Sequence, residues 1–271
     1  VNHGNTPWLL ASALTFLFCG GLALFYAVFA GLFYRFKPHH QYPTLLFIGL
    51  WISLDLLRGW LLTGFPWLYL GYAGVGTFME GYAPILGVHG VTLLLLASAL
   101  LTFGAQVKLP LRLALLTGLW LAGYGLNTIS WTQPSQQGPI TVTLLQADVS
   151  LETKWSPQTL TPTLNYYFKQ SYLHLESDLI IWPETAIPTY WDHIAPAFES
   201  LRALAKKENT QIISGTIIRE TAEAGANYYN GLIAFGAEDG EYYKQRLVPF
   251  GEYIPIESRF RGAIDLFNLP M

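Results

Sequence analysis

Cysteine is almost absent from this chain of 271 residues. The one thiol, Cys19, excludes a disulfide within the chain and says little about redox compartment. It lies inside a long apolar run, where burial raises a thiol's pKa and disfavours the nucleophilic thiolate, so it reads as a small hydrophobe. No His/Cys cluster has metal-ligand spacing and no glycine-rich phosphate loop occurs, so neither a metal nor an organic cofactor is implied. Charge is the third shortage, and it is uneven. Val1 to Ser135 holds five Lys/Arg (Arg35, Lys37, Arg58, Lys108, Arg112) and two acids, Asp55 and Glu80. The rest carries ten Lys/Arg and sixteen Asp/Glu, an ordinary water-exposed density. That half is acidic, so it offers no electrostatic case for a nucleic-acid partner.

What fills the charge-poor half is apolar sequence. A helix needs about 20 mostly apolar residues to cross a bilayer. Four runs fit: 8–34, 44–62, 87–104 and 113–129. The first is too long, with the wrong flanks, for a cleaved signal peptide. Basic residues stand between the first and second runs (Arg35, Lys37, beside His39 and His40) and between the third and fourth (Lys108, Arg112). Residues 63–88 and 130–153 have none. Basic loops stay cytoplasmic, which places everything after the fourth span on the outer side. Asp55 and Arg58, three apart in the second span, share a helical face and can pair. Intramembrane charge faces a protein interior or a water-filled cavity; the pair reads either as a lock on the following loop or as part of a substrate cavity. That loop, Phe65 to Tyr72, is aromatic and includes Trp67. It reads as an interfacial segment that either anchors the chain or helps admit a lipid chain.

Residues 131–139 read as a linker, and 140–271 as a second, α/β domain. Strands are expected at 140–146, 178–182, 211–217 and 228–235. Helices are expected at 159–174, with Leu160, Leu164, Tyr167 and Tyr172 inward, and at 195–207, with Phe198, Leu201 and Leu204 inward. The order suggests a layered α/β fold. No internal repeat is present.

One stretch stands out for chemistry. Trp182-Pro183-Glu184-Thr185-Ala186-Ile187-Pro188 follows the apolar run Asp178 to Ile181 and sets a carboxylate on a stiff turn just past a strand end. It resembles the glutamate motif of the nitrilase superfamily, in the version found in apolipoprotein N-acyltransferases. Tyr243-Lys244-Gln245-Arg246-Leu247-Val248-Pro249-Phe250-Gly251-Glu252-Tyr253-Ile254-Pro255 and Leu57-Arg58-Gly59-Trp60-Leu61-Leu62-Thr63-Gly64-Phe65-Pro66-Trp67-Leu68 resemble the same family, in the right order and in the right kinds of segment.

The resemblance implies an α-β-β-α sandwich held outside a bacterial inner membrane by a multi-span helical domain. It implies a phospholipid acyl donor and, as acceptor, a lipoprotein whose N-terminal cysteine carries diacylglycerol. Glu184 would be the general base, Lys244 the ammonium beside the oxyanion, and Glu252 a carboxylate that orients Lys244 or shares its charge. Trp155 either matches an aromatic near the acceptor or lipid site or is a plain surface or core tryptophan, and Asn230 either caps a turn or joins the site. The family's nucleophilic cysteine falls beyond Lys244 by more residues than this chain contains. The expectation is therefore an incomplete chain, inactive alone; a remainder on another chain and a cysteine-less paralogue are the other readings. Two rival functions share these residues: a membrane-tethered amidase using Glu184 and Lys244, and a transporter using Asp55 and Arg58.

Overall fold

The computed structural model describes residues 7–39, 41–103, 107–136, 138–222 and 225–249. They form a helical unit, residues 7–133 with 248 and 249, and a sheet unit, residues 134–247.

The helical unit contains α1 (Trp8–Phe36), α2 (Pro43–Trp60), α3 (Ala83–Phe103) and α4 (Leu109–Asn127). All four belong to segments long and apolar enough to cross a membrane. Eighteen residues of α2 rise about 27 Å, close to the hydrocarbon thickness of a bilayer. Their outward faces are apolar: Phe16 is 78% exposed and Phe103 87%. Such faces suit lipid and would be costly in water. The third helix starts at Ala83 rather than Gly87. Gly87 has φ +63°, and the helix kinks there instead of beginning there.

At the end of α2 the chain turns sharply. Leu62 (φ 53°), Thr63 (69°) and Leu68 (62°) adopt left-handed conformations that non-glycine residues rarely take. Gly64 (φ 94°) could not be replaced, because a Cβ there would meet the Gly59 carbonyl oxygen at 2.0 Å. Arg58 holds this turn from below. Its guanidinium pairs with Asp55 at 3.0 Å and donates to the Tyr26 hydroxyl at 3.2 Å and the Leu68 carbonyl at 3.5 Å. It also lies over the Tyr69 ring, 4.9 Å from the centroid. Both charged side chains are buried. These contacts tie the end of α2 to the connector, whose Trp67 is 70% exposed and tilted against Phe65.

The sheet unit contains β1 (Val142–Leu144), α5 (Pro157–Leu173), β2 (Leu179–Ile181), β3 (Ile187–Tyr190), the single turn α6 (Trp191–Ile194), α7 (Glu199–Lys207), β4 (Gln211–Ala222), β5 (Gly225–Gly236) and β6 (Gly240–Tyr243). The sheet runs β1-β2-β4-β5-β6, with β3 also on β4. The β1, β2, β3 and β4 pairings are parallel, and β4, β5 and β6 run antiparallel. Parallel neighbours need a crossover, which α5 and α7 provide. Ile180, Ile212 and Phe235 form one row across β2, β4 and β5 and pack, fully buried, with Leu164, Phe198 and Leu201. The alternate row ends on exposed Leu144, so the opposite sheet face is open among the described residues. The layered α/β arrangement is thus present as a helix layer on a mixed sheet.

Two stripe residues fall outside this core. Tyr172 is 41% exposed and Leu204 40%. In α5, Tyr167 already fills the place opposite Trp182, stacked at 4.7 Å, and Tyr172 falls on the far face. In α7, which begins only after a 3-10 turn at Ala195–Phe198, Leu201 and Ala205 carry the buried face. Strand β3, which the sequence reading lacks, follows the glutamate turn directly and carries Pro188.

Candidate active site

The glutamate turn is anchored from both ends by burial. Trp182, 1% exposed, donates its indole N–H to the Ser171 hydroxyl at 3.1 Å, and its backbone N–H to the Ile213 carbonyl at 2.9 Å. Pro183 O then accepts from Ala186 N at 3.1 Å and Gly215 N at 3.3 Å. The turn is tight, with Thr185 at φ 52°. It lies so close to β4 that a Cβ at Gly215 would sit 2.4 Å from Thr185 N and 2.7 Å from Glu184 Cα. Only glycine allows this approach. The tryptophan faces inward, the backbone reverses against Gly215, and Glu184 projects outward with its side chain 67% exposed.

Two side chains from the far side of the sheet meet it. Asn230 lies in β5, opposite Ile217 of β4. The β5–β6 register pairs Gly231 with Tyr243, and the Lys244 N–H donates to the Asn230 carbonyl at 2.9 Å. Asn230 and Lys244 are therefore direct cross-strand neighbours. Asn230 Nδ2 donates to Glu184 Oε1 at 2.7 Å, and Lys244 Nζ stands 3.4 Å from the same oxygen. The reading of Asn230 as a turn cap is corrected: it is a strand residue whose amide holds the carboxylate. Lys244 is half-buried. One carboxylate oxygen is thus held by an amide and an ammonium, while the carboxylate remains open to an incoming group.

A cleft of about 170 Å³ adjoins the turn, lined by Gln146, Asp148, Lys154, Tyr167 and Glu184 among others. Its mouth is polar, suited to hydrogen-bonding chemistry. Lys154 was missed by sequence reasoning: its Nζ donates to the Glu184 backbone carbonyl at 3.3 Å. Burial pushes its pKa below the ordinary lysine value, partly offset by the negative charge of Glu184. The adjacent Trp155 is 59% exposed. Trp67 belongs to the helical unit, and Glu252 lies outside the described residues.

Both units match families of known proteins. Residues 1–101 match the apolipoprotein N-acyltransferase N-terminal domain, and residues 141–263 match the carbon-nitrogen hydrolase family. Apolipoprotein N-acyltransferases are among the curated relatives. That of Pseudomonas syringae pv. tomato is 36% identical over 99% of this chain and 55% of its own length. That of Pseudomonas aeruginosa is 37% identical over 100% of this chain and 55% of its own. The chain belongs to the apolipoprotein N-acyltransferase family. A third member, from Methylococcus capsulatus, is 36% identical over 99% of this chain and 54% of its own length. The chain thus spans about half the length of the curated relatives it matches. Among solved structures, an N-terminal amidase covers 40% of this chain and 28% of its own at 19% identity, with a TM-score of 0.28, too slight a likeness to build on. The family is one of bacterial membrane proteins, and the four apolar helices fit that setting.

Proposed function

We propose that the whole protein to which this chain belongs transfers an acyl group from a phospholipid to the α-amine of a diacylglyceryl-cysteine lipoprotein. The single observation that carries the reading is the convergence of Asn230 and Lys244 on one oxygen of Glu184, at 2.7 and 3.4 Å. A carboxylate held at one oxygen keeps the other for proton transfer, as a general base requires. Lys244, beside it, can place an ammonium against a developing oxyanion.

The chemistry runs in two halves. Glu184 removes the proton from a thiol, the sulfur attacks the ester carbonyl of the donor, and Lys244 stabilises the tetrahedral oxyanion. Collapse breaks the ester bond, and the proton passes from Glu184 to the leaving lysophospholipid oxygen. In the second half the acceptor amine attacks the thioester, Glu184 takes the amine proton, and the proton returns to the departing thiolate. Cys19 lies on the apolar helix α1, so this reading does not assign it the role of the thiol. Glu252, in this reading, orients Lys244. Trp155 and Trp67 contact lipid or acceptor. The setting is the bacterial inner membrane, with the sheet unit on the periplasmic side, following the distribution of basic residues.

An amidase reading shares Glu184 and Lys244 but needs no lipid. The two separate in one assay on the complete protein. Acyl transfer predicts release of lysophospholipid from vesicles that depends on an acceptor with a free α-amine. Steady ammonia release from soluble amides, with no lysophospholipid, would overturn the proposal in favour of the amidase.

A further inference from the structure

A second cation reaches the glutamate turn from the opposite side. Lys154 lies in the turn segment before α5, far in sequence from the β6 end that carries Lys244. Its Nζ donates to the backbone carbonyl of Glu184 at 3.3 Å, the one donor to that oxygen among the described residues. A lysine whose stem merely covers apolar surface keeps its head in water. Lys154 instead gives up hydration to set its ammonium against a peptide oxygen, which is why burial lowers its pKa. The oxygen it holds belongs to a turn with little freedom: Thr185 is left-handed and Gly215 is packed beneath. The charged groups around Lys154 are Glu184 itself and Asp148, which lines the same cleft, with Tyr167 on the cleft wall.

We propose that Lys154 is a positioning residue for Glu184. It fixes the peptide oxygen of the base from the cleft side while Lys244 and Asn230 fix its carboxylate from the sheet side. The proposal rests on the reading of Glu184 as the base only for its kinetic consequence. The contact itself is independent of that reading.

Two measurements test it. In this chain, solubilised and carrying 13C-labelled lysine, the ε-carbon of Lys154 is followed against pH, its signal assigned by loss in Lys154→Met. The expected midpoint lies below the ordinary 10.5 and falls further in Glu184→Gln, since removing the negative charge removes support for the ammonium. A midpoint at the ordinary value, unmoved by Glu184→Gln, overturns the contact. In the complete protein, Lys154→Met should lower kcat for acyl transfer on the order of tenfold to a hundredfold, the worth of a charge-assisted hydrogen bond. KM for the phospholipid should stay within about twofold, and Lys154→Arg should restore most of the rate. A wild-type kcat in Lys154→Met, or a raised KM at unchanged kcat, overturns the positioning role. Failure of the unmodified protein to transfer acyl groups would instead sink the acyltransferase reading, with the titration still deciding the contact.

Discussion

Two of the protein's carboxylate–cation pairs have similar lengths and opposite surroundings. In the helical unit, Asp55 and Arg58 are 3.0 Å apart with side chains 8% and 4% exposed. In the sheet unit, Glu184 and Lys244 are 3.4 Å apart with side chains 67% and 30% exposed. The first pair shares one helix face, three residues apart, and Arg58 is further satisfied by Tyr26, Leu68 and the Tyr69 ring. The second is assembled from residues sixty apart by the register of three strands. Separation distance alone would rank them as equals. Burial separates them: the enclosed pair is closed to solvent, whereas the carboxylate of the open pair is accessible.

The comparison breaks most visibly at Asp55. Asp55→Leu leaves the Arg58 guanidinium buried without its partner, and about 3–5 kcal/mol of stability should be lost. Detergent unfolding of the purified chain would measure it, and the double variant Asp55→Leu/Arg58→Met should recover most of the loss. Equal loss in single and double variants would mean the pair locks nothing. At the other pair the expectation reverses. Lys244→Ala should leave the melting transition nearly unchanged, because exposed ion pairs contribute little. Acyl transfer by the complete protein should nonetheless fall about 10²–10³-fold, the usual cost of losing an oxyanion donor.

Next in size is Gly215→Ala. The added methyl would press on Thr185 N, and overpacking of this kind costs about 1–3 kcal/mol. Thermal unfolding should register the loss, accompanied by displacement of Glu184 from Asn230. Smallest is a pH effect. The folded pKa of Lys154 lies below that of the unfolded chain, so between the two values the unfolded chain binds a proton the folded one has released. Stability of the sheet unit should therefore rise with pH across that window. The slope should vanish in Lys154→Met, and an unchanged slope would assign it to another group.

Local pattern made part of this legible. Long apolar runs announced the membrane helices, and the Trp182 to Pro188 motif placed Glu184 just past a strand. The pairing of Asp55 with Arg58 followed from helical spacing. What stayed hidden depended on contacts between distant segments. Nothing near Gly215 signals that the glutamate turn will rest against it. Asn230 gains its role only when β5 and β6 align it beside Lys244, and sequence spacing does not encode register across a loop. Lys154 sits in a polar stretch like any surface lysine, and only the fold brings Glu184 O to it. Tyr172 and Leu204 had the right period but met no neighbouring layer, since Tyr167 and Leu201 already filled those contacts.

The central claim is that the outward carboxylate at the Trp182-Pro183-Glu184 turn is the base of an acyl-transfer site. Intact-mass spectrometry of the complete protein, incubated with phospholipid and no acceptor, tests it most directly. The unmodified protein should gain the mass of one acyl chain, and Glu184→Ala should gain none while retaining its fold. A Glu184→Ala protein that acquires the acyl group at the normal rate would contradict the account.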